Sequence, residues 1–258
     1  MATLHSGAIA AADGPSFVQS KTLTVCQDPT FPPMEFMAKA GDTEPSGFDA
    51  DLARALAEHW GVAAKFVTMD FAGLLPSLEA KRCDMVISGI LVTEERTKKF
   101  DAAPYMATFG ILFGKAGTQP VSDIAALSGQ TIAVQTGTTY VDRVQALSDQ
   151  VVAKGGEPLN IQLYPKATDV FQQVVIGRAF AGSSQDTEIS YRDLQNPGEL
   201  TTVYTFPEKS SFGIYLRKDP ADLDAVLAAV KALRESGKLG QIAGGWKLST
   251  SQIDAAAQ

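Results

Sequence analysis

Apolar and polar positions along the chain switch between a period of two and a period near 3.6, and the switches mark out its elements. From residue 22 the pattern is strand-like (LTVC), then turn-rich (DPTFPP), where two prolines forbid a helix. GFDADLARALAEHWG follows with apolar residues at Leu52, Ala55, Leu56 and Trp60, one face of a helix that Gly61 closes. AKFVTM then reads as a strand, FAGLLPSLEAKR as a short helix and DMVISGILV as another strand. Such alternation predicts a parallel sheet covered by helices.

The same grammar restarts further on. SDIAALSG is a short helix, QTIAVQ a strand, TGTTYVDRVQAL a helix opening at a glycine, IQLYP a strand, ATDVFQQVVIG a helix and RAFAGSS a strand. FGILFGK lies between the two sets and SFGIYLRK after the second, both strand-like. A chain that leaves one α/β unit by one strand and returns by another has two lobes and a two-stranded hinge. The expected boundaries are 21–110 with 213–250 for lobe 1 and 111–212 for lobe 2. Residues 1–20 are read as a disordered lead-in or signal remnant, because AIAAAD resembles a cleavage region without the basic start and apolar core of a full signal. Residues 251–258 are read as a tail, and DLDAVLAAVKALRESGKLGQIAGGW as one last helix packed on lobe 1.

Composition narrows the function. At 258 residues, 45% apolar and 20% charged, the chain is an ordinary globule long enough for two cores. No apolar run approaches the roughly 20 residues of a membrane-crossing helix. A net charge of -7 with thinly spread Lys and Arg gives no footprint for nucleic acid. With only His5 and His59, the latter read as a surface helix residue, neither a hydrolytic triad nor a histidine metal site can be built. FGILFGK is one residue short of a phosphate loop and lacks its Ser or Thr, so it is read as structural. Cys26 and Cys83 form no CxxC, and their apolar, strand-like surroundings favour buried free thiols over a disulfide. Arg96, just past a core strand in SGILVTEER, is open to two readings: a surface salt bridge with Glu94 or Glu95, or an anion site.

Taken in order, DPTFPPMEF, GFDADLARALAEHWG, FAGLLPSLEAKRCDMVISG, ILVTEERTKKFDAAPY, AVQTGTT and GKLGQIAGGW resemble the family 3 extracellular solute-binding proteins, the periplasmic amino-acid receptors of ABC importers. The likeness runs from about residue 21 to 248. It implies an α/β class with the type II periplasmic binding protein fold, two doubly wound α/β lobes joined by a two-strand hinge. It also implies a small-molecule ligand (an amino acid or related carboxylate), an ABC transporter permease as partner, a monomer in the periplasm, and no catalytic residue, cofactor or metal.

By the same resemblance Arg96 pairs with the ligand's α-carboxylate, a planar fork on a planar anion. Ser88, Gly89 and Ile90 fall where the family offers a hydroxyl or carbonyl and a backbone N–H at a strand's C-terminal end. Thr138 and Thr139 open a helix whose amides suit the same carboxylate, although TGTT alone is also a routine helix start. Phe31 and Phe71 match the aromatic walls, as against ordinary core positions, and Asp28 matches a polar position near the ligand's side chain, as against a turn cap.

The chain departs from the family pattern in two places. Leu91 stands where a hydroxyl residue is usual. In GRAFAGSSQDTE, Phe180 replaces one aspartate, and Gln185 falls where the aspartate that holds the α-ammonium is expected. Asp186 is adjacent, on the opposite strand face unless the strand has ended, and also reads as an N-cap for TEISYRDL. Two alternatives therefore stand beside the transport reading. One is a cyclohexadienyl dehydratase-like enzyme using Glu188 or Asp186 as general acid, and the other is the sensor domain of a membrane receptor.

Overall fold

The computed structural model describes residues 14–256. Ten strands alternate with nine α-helices over that span. The first half contains β1 (Thr22–Gln27), β2 (Thr30–Phe31), β3 (Glu35–Phe36), α1 (Phe48–His59), β4 (Ala63–Thr68), α2 (Leu74–Glu79), β5 (Met85–Val86) and α3 (Glu94–Lys99). β6 (Phe100–Lys115) leads out of it. The second half contains β7 (Thr131–Gln135), α4 (Tyr140–Ala153), β8 (Asn160–Tyr164), α5 (Ala167–Val175), β9 (Ala181–Gln185) and α6 (Asp186–Gln195). β10 (Leu200–Arg217) leads back to α7 (Pro220–Glu235), α8 (Lys238–Gly245) and α9 (Thr250–Asp254).

The strand order β4-β1-β5-β10-β6-β9-β7-β8 explains why the grammar repeats. In each half the first strand lies between the next two, parallel to both (β4-β1-β5 and β8-β7-β9), and then meets a crossing strand. β6 and β10 pair antiparallel along their length, with a register shift between Thr205 and Lys209 opposite Ile111 and Phe109. The central strands β1 and β7 are nearly all buried (Leu23, Val25, Ile132, Val134), whereas β4 is a half-exposed edge. No described helix is long and apolar enough to cross a membrane.

Several expectations are corrected. Cys26 and Cys83 are joined in a disulfide with Cα atoms 5.8 Å apart, because parallel pairing of β1 with β5 brings the end of β1 beside the residues that enter β5. The DMVISGILV run is paired as a strand only at Met85–Val86. Gly89, at φ 49, then turns the chain so closely over Phe31 that a Cβ there would lie 2.7 Å from its ring. The final helix divides in two at Gly237, which sits in a left-handed turn at φ 76, and α7 and α8 both pack on α1. Within the expected tail, residues 251–254 are helical and Ile253 is buried. The lead-in reading of residues 1–13 lies outside the described residues. Ser16–Ser20, however, form an ordered 3-10 turn, fixed where Ser16 Oγ donates to Asp222 at 2.8 Å and Phe17 packs edge-on against Trp60.

Candidate ligand-binding site

Four chain segments leave the C-terminal ends of buried parallel strands toward one narrow cleft whose cavity is about 20 Å³. They follow β1 (Asp28 onward), β5 (Ser88 to Arg96), β7 (Gln135 to Tyr140) and β9 (Ser184 to Glu188). Parallel strands whose helices double back leave such a crevice at their carboxyl ends. Asp28, Phe31, Phe71, Ser88, Gly89, Arg96, Thr138 and Thr139 line it.

Arg96 belongs to α3, which Thr93 caps by accepting the Arg96 N–H on its hydroxyl at 3.3 Å. The half-buried guanidinium donates to the Leu91 carbonyl at 3.0 Å and, from the other half of the molecule, to the Gly137 carbonyl at 3.3 Å. Its carbon lies 5.9 Å from the centre of the Phe71 ring. Among the described residues it forms no ion pair, and Glu94 pairs with Lys98 instead. Burial lowers the Arg96 pKa, partly offset by the Tyr215 and Tyr140 hydroxyls and Glu95. The result is a desolvated cation held by neutral oxygens, ready for an anion.

Opposite it, Thr138 Oγ1 closes its own turn on the Gln135 carbonyl at 2.7 Å. The 14-residue helix α4 follows, its Val141 and Arg143 amides already donating to the Thr138 and Thr139 carbonyls at 3.4 and 3.2 Å, so the Thr139 and Tyr140 amides are the ones left for a ligand. Asp28 is buried. Its N–H donates to Ser88 Oγ at 2.9 Å, and Gln135 Nε2 donates to its Oδ2 at 2.7 Å from across the cleft. Burial raises the Asp28 pKa to about 6, against hydrogen bonds from Thr30 and Gln135 that lower it. Phe31 sits edge-on to Phe212 at 6.2 Å, one face toward the core and one toward the cleft.

Two expected residues, Gln185 and Asp186, are placed elsewhere. The Ile90 side chain joins the core around Cys26, Leu74 and Val86, which leaves only its backbone N–H, the group expected there, for a ligand. Gln185 is fully buried, its Oε1 accepting from Thr108 Oγ1 at 3.0 Å. Asp186 accepts from Thr108 Oγ1 at 2.6 Å and the Phe109 N–H at 3.2 Å, and its other oxygen accepts from Gln252 at 3.1 Å, so it ties α6 to β6 and α9. The cause is that β9 ends at Gln185 and a helix begins at Asp186. Gln185 is thereby the N-cap residue in place of Asp186.

The helical period brings Glu188 round to the cleft instead. Glu188 is buried, accepts from Ser184 Oγ, and receives Arg192 through Nε at 2.9 Å and Nη2 at 2.7 Å. Sequence reasoning also missed Glu35, Gln135, Tyr140 and Ser183 on the cleft wall. The available signal was an acidic or amide residue inside otherwise apolar runs, PPMEFM and TIAVQ.

Glu35 accepts from Ser88 Oγ at 2.8 Å. Behind it lies Asp49 on α1, which accepts from the Gly89 N–H at 2.7 Å and from the Tyr105 hydroxyl at 2.7 and 2.8 Å. No described group of His, Cys, Asp and Glu has the arrangement of a metal site, and His59 is exposed at the end of α1.

The family model for "Bacterial extracellular solute-binding proteins, family 3" matches residues 23–249. The chain belongs to this family. Among family 3 relatives, it is 28% identical over 243 residues to the "Arginine-binding protein ArgT" of Corynebacterium glutamicum, covering 93% of this chain and 79% of the relative. A mutant of ArgBP from T. maritima aligns in structure with a TM-score of 0.75 and 31% identity over 89% of this chain and 97% of that one. An ancestral amino acid-binding protein, described as a precursor of cyclohexadienyl dehydratase, aligns with a TM-score of 0.75 and 29% identity over 89% and 97%. The two-lobed type II fold expected from the sequence is the fold of this family 3 chain.

Proposed function

We propose that this protein captures a free amino acid or close derivative between its lobes, outside the cytoplasmic membrane, and delivers it to the permease of an ABC importer. The observation that carries the reading is Arg96: a desolvated guanidinium between the lobes, facing the N-terminus of α4, bonded to the Leu91 and Gly137 carbonyls and without an ion pair among the described residues. Its planar fork and the α4 amides would hold the α-carboxylate, and lobe closure strengthens both by removing water. Asp28, buried at the cleft and already bonded by Gln135 and Thr30, would receive the α-ammonium in place of the family's usual aspartate. Phe31 and Phe71 would flank the remainder.

We assign residues 21–110 and 213–250 to lobe 1 and 111–212 to lobe 2. The register shift of β6 against β10 near Phe109 and Thr205 is the natural hinge, because an irregular ladder bends more easily than a continuous one. Capture without chemistry is favoured over a dehydratase-like reaction by the surroundings of Glu188. Two donor groups of Arg192 and the Ser184 hydroxyl face it, an arrangement that suits a carboxylate rather than a proton donor. The similarity to an arginine-binding relative and to an ancestral amino acid-binding protein supports the same choice.

Thermal unfolding of protein stripped of ligand by denaturation and refolding tests the reading. Ligand at about 100 times its Kd adds roughly 2.7 kcal/mol to native stability. A rise in Tm with one or more free amino acids, and none with the corresponding amino-acid amides, is expected. A rise with the amides as large as with the acids would remove the carboxylate from the site.

A further inference from the structure

β2 and β3 form a two-stranded ribbon whose register gives it two different faces. Thr30 pairs with Phe36, and Phe31 pairs with Glu35. Cross-strand partners share a face, and successive pairs point to opposite ones. Phe31 and Glu35 accordingly line the cleft. Thr30 and Phe36, on the other face, reach the second half of the molecule. Thr30 Oγ1 accepts from the Ala167 N–H, the first amide of α5, at 3.2 Å. The Phe36 ring centre lies 6.2 Å from that of Tyr191 on α6.

Each contact completes something that the second half lacks on its own side. Lys166 is the N-cap residue of α5 and makes no capping hydrogen bond, so among the described residues the Ala167 N–H finds a side-chain acceptor only across the gap. Tyr191 stands three residues beyond Glu188, so the side of α6 that brings Glu188 to the cleft also carries Tyr191 past its rim. The ribbon that receives them is mounted on the first half. The Pro33 and Met34 carbonyls accept the Phe48 and Asp49 N–H groups at the start of α1, both at 2.8 Å, and Phe36 exchanges backbone hydrogen bonds with Ser46 at 2.9 and 2.8 Å. Phe36 also packs edge-on against Trp246 at 5.6 Å, and Trp246 Nε1 donates to Asp51 Oδ2 at 2.8 Å.

We propose that the Thr30–Phe36 pair is a latch that biases the empty protein toward closure without touching the ligand. This goes beyond the capture reading and rests only on its closing lobes, not on the class of ligand. Neither residue lines the cleft, so the latch adds the same increment to closing whatever is bound. The two contacts fall on α5 and α6, the helices that precede and follow β9, and are lost together when those helices move off the ribbon. A ligand that binds the closed form gains affinity in proportion to the closed fraction. The gain is shared by every ligand and selects among none.

Small-angle scattering of the ligand-stripped full chain tests the latch with no ligand present. The radius of gyration is expected to exceed that of wild type in Tyr191→Ala and in Thr30→Val, and to be largest in the double variant. Titration calorimetry with arginine and with glutamine then compares wild type with Tyr191→Ala alone, because the Thr30 hydroxyl also bonds Asp28. Loss of the aromatic contact is expected to weaken both amino acids by one common factor, roughly twofold to tenfold.

Equal scattering from wild type and the double variant overturns the latch. Weakening of one amino acid and not the other also overturns it, by placing the effect in the cleft wall at Glu188. Failure of both amino acids to bind wild type counts against the amino-acid reading and not against the latch, which the scattering comparison decides by itself.

Discussion

Gln135 Nε2 donates to Asp28 Oδ2 at 2.7 Å, joining the end of β7 in one half of the molecule to the end of β1 in the other. The same amide donates to the Pro165 carbonyl at 3.2 Å, so its orientation is fixed from its own side of the cleft. A hydrogen bond to a charged group contributes roughly 1.5–3 kcal/mol. Because this one exists only when the halves meet, its energy goes into closure. Gln135→Ala is expected to weaken ligand binding by roughly tenfold or more through a faster off-rate, with the fold unaffected. Stopped-flow displacement checks this, and an unchanged off-rate would show that the bond contributes nothing to closure.

Arg96→Ala removes a side chain whose recorded partners are two backbone carbonyls, so little of the empty protein's stability depends on it. Stripping one member from a desolvated carboxylate–guanidinium pair costs about 2–5 kcal/mol. Binding is therefore expected to fall by at least thirtyfold, while the Tm without ligand moves little. Calorimetry beside thermal unfolding separates the two effects. Unaltered affinity would return Arg96 to an ordinary helix start.

The fold was legible because each half repeats a strand and helix pattern whose apolar positions need no long-range information. Leu23 and Val25 in β1, and Ile132 and Val134 in β7, are buried as their runs predict. The disulfide was not legible, since a separation of 57 residues says nothing about adjacency until β1 and β5 pair. At the end of β9, counting along the sequence assumed a continuing strand and pointed to Gln185. The backbone changes period there, and Glu188 reaches the cleft from the first turn of α6. Glu35 was hidden for a different reason: PPMEF reads as a turn, where an acid is usually solvated, and only α1 packing behind it makes the position buried.

The disulfide closes a long loop that contains α1, β4 and α2. By loop-closure entropy a bridge across 57 residues stabilises the native state by about 4 kcal/mol. The double substitution Cys26→Ala with Cys83→Ala is expected to lower the unfolding free energy in urea by about that amount. Amino-acid binding at low temperature should survive, since neither cysteine lines the cleft. A loss under 1 kcal/mol would mean that the unfolded chain without the bridge is already restricted there by residual structure.

Asp28 gives a pH dependence whose sign follows from burial. Its pKa is raised from 3.8 to about 6, so between those values the native state holds a proton that the unfolded state has released. Stability from this group is complete below pH 4 and is lost as the pH climbs through 6, the reverse of a salt-bridged carboxylate. Asp49, also carried to about 6 by burial, acts in the same direction. The ligand-free protein is therefore expected to lose stability across this window. Asp28→Asn, which keeps an oxygen for Gln135, should flatten the loss and raise Tm at pH 7 without raising it at pH 4. Thermal unfolding of both proteins in buffers from pH 4 to pH 8 measures it. A wild-type Tm that climbs through the same interval with a slope unchanged in Asp28→Asn would mean that Asp28 is ionised in the native state throughout, paired by Gln135 more strongly than burial opposes it.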